Sequence, residues 1–143
     1  MIGPGTGIAA FRSFISERDA TGAKGKNWLF FGEDHFVSDF LYQTEIQDWH
    51  QTGVLNKVSL AFAKDQPEEF FVHDKMRAQG DEIYDWIRSG AYIYVCGQKA
   101  PMSVNVENEL LAILEKHGEL TPANAKKYFE QMKEEGRYSK DVY

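Results

Sequence analysis

The chain has 143 residues, 43% of them hydrophobic and 14% aromatic, and a formal net charge of −6. That length favours one domain around a single core, and the apolar content excludes a disordered polymer. The acidic balance argues against nucleic acid or an anionic membrane as a partner, and the single cysteine, Cys96, leaves neither a disulfide framework nor a cysteine-rich metal site.

Met1 and Ile2 precede a glycine-rich turn, Gly3-Pro4-Gly5-Thr6-Gly7, after which Ile8, Phe11, Phe14 and Ile15 fall on one helical face. With so little ahead of the turn the first strand is nearly absent, and the chain reads as a stretch of a longer polypeptide. Glycines let backbone turn sharply and approach a phosphate closely. The helix that follows presents N–H groups and the positive end of its dipole to an anion. The spacing is G-x-G-x-G, neither the G-x-G-x-x-G fingerprint nor a P-loop, which needs a lysine. An ordinary strand-to-helix turn explains a lone glycine cluster equally well.

Asn27–Gly32, Lys57–Lys64 and Ala91–Gly97 read as strands. Between them Tyr42, Ile46 and Trp49 keep helical spacing with Gly53 as a stop, and Ile83, Trp86 and Ile87 repeat the pattern before Gly90. Met102, Val106, Leu110 and Ile113 form a further stripe, with Pro101 suited to the first helical turn. Thr121 caps a last helix whose Ala125, Tyr128, Phe129 and Met132 share a face. Strands alternating with helices imply an α/β fold with a parallel sheet, its first strand truncated. The apolar runs are too short to span a bilayer and no signal peptide opens the chain, so a cytoplasmic protein is expected.

Two further motifs bear on chemistry. Tyr94-Val95-Cys96-Gly97 closes an apolar strand, and in open α/β sheets ligands sit at the carboxyl ends of strands. A small thiol followed by glycine would admit a flat ring, although a lone cysteine there is commonly just a small buried hydrophobe. Arg137-Tyr138-Ser139-Lys140-Asp141-Val142-Tyr143 reads as a native terminus, either a frayed tail or a ring that stacks on a planar cofactor.

Taken together, Gly3 to Arg12, Leu29 to Gly32, Asp39-Phe40-Leu41-Tyr42, Tyr94 to Gly97 and the closing Asp-Val-Tyr resemble the ferredoxin-reductase-like NADP-binding module. More narrowly, they are similar to the C-terminal part of diflavin reductases of the sulfite-reductase type. The resemblance covers the whole chain, residues 1–143, and implies a Rossmann-like fold, a mainly parallel sheet flanked by helices. It implies a pyridine-nucleotide-binding domain that takes hydride from NADPH to FAD, with electrons passing on to FMN and a haemoprotein acceptor such as the sulfite reductase haem subunit. FAD and FMN would belong to other domains of the parent protein, not to this stretch.

Carried over by motif, Gly3, Gly5, Thr6 and Gly7 would hold the pyrophosphate, with Gly32 beside them. Cys96 and Gly97 would border the nicotinamide, Asp141 would orient hydride transfer, and Tyr143 would cover the FAD ring. The family's 2′-phosphate clamp runs Ser-Arg, Lys, Tyr, and here those positions read Ala63, Lys64, Glu69 and Phe71. Lys64 and His73 are the remaining candidates for that phosphate, and NADH becomes a possible cofactor. Ala10 replaces a usual proline, and Gln98 a usual acid. A reductase serving another haemoprotein or ferredoxin, or a nucleotide-binding module without catalysis, stay open. His35, His50, His73 and His117 lack ligand spacing, so no metal is assigned. Trp28, Trp49 and Trp86 are expected in the core.

Overall fold

A computed structural model describes all residues, Met1–Tyr143, in two compact units, Met1–Val72 and His73–Tyr143. The fold is α/β with parallel strands.

In the first unit a short 3-10 turn, Gly5–Gly7, leads into α1 (Ile8–Thr21). The buried stripe of α1 is Ile8, Phe11 and Ile15, while Phe14 stays exposed. Gly22 ends it in the left-handed conformation, donating its N–H to the Arg18 and Asp19 carbonyls. Strand β1 (Trp28–Glu33) is buried from Trp28 to Gly32, as expected of a parallel strand covered on both faces. It pairs in parallel with β2 (Lys57–Phe62), Trp28 opposite Lys57 and Glu33 opposite Phe62. The buried Trp28 indole donates to the buried Ser59 hydroxyl at 2.9 Å, which satisfies both polar groups.

The truncated first strand is a single parallel bridge, Ile2 to Phe30, held by Phe30 N–H to the Met1 carbonyl and Gly3 N–H to the Phe30 carbonyl. Between β1 and β2 lie α2 (Phe36–Asp39) and α3 (Gln43–Thr52), the latter stopped by Gly53 at φ 85° as its sequence implies. Only Ile46 of α3 is buried, and Trp49 is half-buried with its indole N–H on Asp19.

α4 (Val72–Ala78) begins at the junction of the two units. The second unit continues with α5 (Gly80–Arg88), β3 (Ile93–Gly97), α6 (Val104–His117), α7 (Pro122–Glu134) and β4 (Tyr138–Val142). Its core gathers Ile83, Ile87, Val106, Leu110, Ile113, Leu114, Phe129 and Met132. Thr121 caps α7 through its hydroxyl, which accepts the Asn124 N–H.

Four expectations are corrected. The frayed-tail reading of the last residues gives way to β4, which pairs in parallel with β3 from Ile93–Tyr138 to Gly97–Val142. Pro101 does not open α6. It sits in a kinked turn, Lys99–Ser103, where Ala100 is extended at φ −147° and ψ 140°, the conformation a following proline favours. Strands β2 and β3 are also shorter than read, ending at Phe62 and starting at Ile93. Trp86 is half-buried rather than core.

Candidate functional site

The glycine turn belongs to the first unit and is built from backbone. Gly5 has φ 60°, a conformation that costs other residues strain. The Gly7 N–H closes the turn onto the Pro4 carbonyl at 3.2 Å, and Gly7 is the N-cap of α1 with no side-chain acceptor supplied there. A Cβ on Gly3 would lie 2.5 Å from the Phe11 ring, so glycine lets the turn settle on its own helix. Thr6 is exposed at the turn's apex. This arrangement suits a pyrophosphate: a sharp, side-chain-poor approach followed by a helix N-terminus.

Gly32 lies beside this turn, but the space at its Cα is already taken. A Cβ there would meet Val72 at 2.6 Å, the Ala61 carbonyl at 3.0 Å and Pro4 at 3.7 Å. Close packing of the protein itself therefore accounts for Gly32.

Past the ends of β1 and β2 the charged side chains have paired with one another. The Lys64 ammonium donates to Asp34 at 2.6 Å, and the two residues are also joined by the Lys64 N–H on the Asp34 carbonyl. Asp34 raises the lysine pKa, first by this hydrogen bond and then by charge, with smaller contributions from Glu69 and Asp39. Asp65 accepts from the Phe36 N–H at 2.8 Å and meets His35 Nδ1 at 2.9 Å, contacts that hold its carboxyl below the usual range. Glu33 sits near the turn, its Oε1 3.5 Å from where a Gly5 Cβ would stand. Burial pushes its pKa up, and Asp39 and Asp34 add to the rise against a lowering backbone hydrogen bond. Ala63 is buried, whereas Glu69 and Phe71 are exposed. Nothing in motif spacing marks Glu33 and Asp34; two acids directly after a buried strand are their only signal in the sequence.

In the second unit the strand register assembles the site. Cys96 stands opposite Asp141 and Gly97 opposite Val142. The Tyr143 N–H reaches the Gly97 carbonyl at 3.1 Å, and the Lys99 N–H reaches the Tyr143 carbonyl at 2.9 Å. Cys96 is 7% exposed and Tyr143 67% exposed, so the first is recessed and the second lies at the surface. Burial raises the thiol pKa and the Asp141 carboxylate raises it further. His73 is elsewhere, half-buried near the start of α4 with Nε2 3.7 Å from Asp74, whose carboxylate also binds Arg77. The structure thus brings Gly3, Gly5, Thr6, Gly7 and Gly32 together in one unit, and Cys96, Gly97, Asp141 and Tyr143 in the other. Lys64 is drawn to Asp34, and His73 to Asp74.

Parallel strands, with a glycine turn feeding a helix and polar groups at the strand ends, define a dinucleotide-binding module. The sequence profile of the oxidoreductase NAD-binding domain matches residues 1–108, and the chain belongs to that family. Over 143 residues it is 51% identical to the sulfite reductase (NADPH) flavoprotein alpha-component of Salmonella paratyphi A and 48% identical to that of Bacillus subtilis. The corresponding protein of Serratia proteamaculans is 50% identical. The alignments cover 100% of this chain but 24% of each relative, so the chain spans about a quarter of their length. No helix is long and apolar enough to cross a membrane.

Proposed function

We propose that this chain is the NADPH-binding part of a sulfite-reductase-type flavoprotein, moving hydride to an FAD held by another domain of the same polypeptide. An FMN domain and a haemoprotein acceptor such as the sulfite reductase haem subunit would complete the route, in the cytoplasm. The observation that carries this reading is the glycine turn, with Gly5 at φ 60° and α1 directly behind it. Identity of 48–51% to proteins named as NADPH sulfite reductase flavoproteins supports the wider assignment.

Gly3, Gly5, Thr6 and Gly7 would hold the pyrophosphate, with Gly32 beside them letting Val72 and Pro4 pack close under the turn. Bound NADPH supplies the hydride, two electrons with one proton, and the flavin of the longer protein receives it. Around that transfer Cys96 and Gly97 would border the nicotinamide without bulk. The raised pKa keeps the Cys96 thiol protonated at neutral pH, so it adds no second anion beside Asp141. The Asp141 carboxylate would favour the positive charge that develops on the donor ring as hydride leaves. Tyr143, exposed at the end of β4, would cover the flavin until the nicotinamide displaces it.

The test is a titration of the purified chain with NADH and NADPH, followed by gel filtration. Binding of a pyridine dinucleotide without flavin absorbance is the expected result. Failure to bind either nucleotide would overturn the assignment, and a yellow chain would overturn the placement of FAD in another domain. Redox turnover in the longer protein separates this reading from a binding module without catalysis, which Gln98 in place of an acid would favour.

A further inference from the structure

We infer that Asp34 is a specificity-determining residue: by holding Lys64 in an ion pair, it weakens the site's hold on a 2′-phosphate and so narrows the preference for NADPH over a dinucleotide with a plain 2′-hydroxyl. This rests on the dinucleotide reading above. Strand β1 is bridged to Ile2, which leads into the glycine turn, and β2 lies on the other side of β1. In such sheets the adenosine ribose of a dinucleotide falls at the strand ends beside the turn, where a cation accepts a 2′-phosphate and an acid accepts a 2′-hydroxyl. Here that place holds Asp34, just past the end of β1, and Lys64, just past the end of β2.

The ammonium is already committed, at 2.6 Å, to Asp34. The Lys64 N–H on the Asp34 carbonyl ties the two segments together, so the pair is held by backbone as well as by charge. Glu69 and Asp39 also act on the same ammonium. One cation therefore faces several carboxylates. A 2′-phosphate brings nearly two further negative charges. To bind it, Lys64 must leave Asp34, and the abandoned carboxylate then sits beside the phosphate. One anion is exchanged for another and a repulsion is added. A 2′-hydroxyl is neutral, needs no cation, and can donate to a carboxylate.

The experiment compares 2′,5′-ADP with 5′-AMP, which differ by the 2′-phosphate, in calorimetric titrations of the full chain. Asp34→Asn keeps the side chain's shape and removes its charge. It should tighten 2′,5′-ADP by about three- to tenfold, the range of one partly exposed charge contact, and leave 5′-AMP within about twofold. Adding Lys64→Ala to Asp34→Asn should erase that gain, since the freed ammonium is its source. Glu69→Gln, away from the direct contact, should act in the same direction but less. Asp48→Asn, an exposed acid on α3, should change neither ligand and so controls for net charge. Unchanged 2′,5′-ADP binding in Asp34→Asn, or equal shifts for both ligands, would overturn the inference and leave the dinucleotide reading standing. A wild-type chain that binds neither ligand would overturn that reading itself, and the inference with it.

Discussion

The glycine-turn end of the first unit and the β3–β4 end of the second prepare for a ligand in opposite ways. The first relies on backbone: a left-handed Gly5, a Gly3 with no room for a Cβ, and a helix start without a side-chain cap. Its polar side chains are paired with one another, Lys64 with Asp34, His35 with Asp65 and Arg12 with Glu45. The second relies on side chains that the strand register sets side by side, Cys96 with Asp141, and on an exposed terminal ring. Substitution should thus injure the first end through folding and the second through chemistry.

Gly3→Ala is the sharpest way to break that contrast. Its methyl would stand 2.5 Å from the Phe11 ring, and Phe11 is itself buried, so something must shift. Overpacking of this kind costs about 1–3 kcal/mol, up to about a hundredfold in the folding equilibrium. Urea denaturation should show the loss as a lower midpoint at unchanged slope. A change below about 0.5 kcal/mol, the level of an ordinary surface substitution, would mean that the turn is not rigid.

Asp141→Asn should do the reverse. The residue is exposed on β4, so its replacement should leave stability nearly unchanged. In a flavoprotein of the proposed kind it should slow flavin reduction by about tenfold, equivalent to about 1.4 kcal/mol of transition-state stabilisation, with nucleotide affinity unaltered. Stopped-flow absorbance at saturating NADPH reads the rate directly. A loss confined to KM would remove Asp141 from the charge-stabilising role.

The two ends were unequally legible in the sequence. The glycine turn and α1 are written locally, in φ requirements and in the spacing of Ile8, Phe11 and Ile15, and the structure reproduces them. The pairing of β3 with β4 joins segments more than forty residues apart, and Tyr138–Val142 alternates too little to announce a strand. Cys96 and Asp141 each stand out in the sequence, but their register depends on the fold. Lys64 shows the opposite failure: its charge is plain in the sequence, whereas its commitment to Asp34 depends on β1 and β2 ending side by side. Pro101 misled because a proline at a helix start and a proline in a preceding kink look alike in one dimension.

A smaller effect is expected at Tyr143. The residue is 67% exposed and its backbone is fixed by Gly97 and Lys99. If the nicotinamide must displace the Tyr143 ring from a flavin, Tyr143→Ala in a flavoprotein of the proposed kind should tighten oxidised nucleotide by about two- to tenfold, the worth of one aromatic stack. Equilibrium titration with NADP⁺ measures this, and unchanged affinity would sink the stacking role.

The smallest effect, and the one that isolates the Cys96–Asp141 pair, is the pH response of the thiol. Burial first, and the Asp141 carboxylate second, raise its pKa above the ordinary thiol value. An unfolded chain ionises its cysteine near pH 8.5, whereas the folded chain keeps the proton beyond that. Below that pH both states hold the proton and the folded thiol's stabilising contribution is fully present. It is lost as pH rises from the unfolded value through the raised folded one, because there the unfolded state gains by releasing a proton that the folded state retains. The urea midpoint should therefore fall between about pH 7.5 and pH 9.5 more steeply in the wild type than in Cys96→Ala, which has no thiol to titrate. Asp141→Asn should lie between the two, since it removes the second cause and leaves the first. Iodoacetamide reports the same pair kinetically: at about pH 8 the Asp141→Asn chain should be alkylated faster, its thiol holding the proton less tightly. Identical alkylation rates in wild type and Asp141→Asn would show that burial alone governs the thiol and that the register neighbour is electrostatically silent.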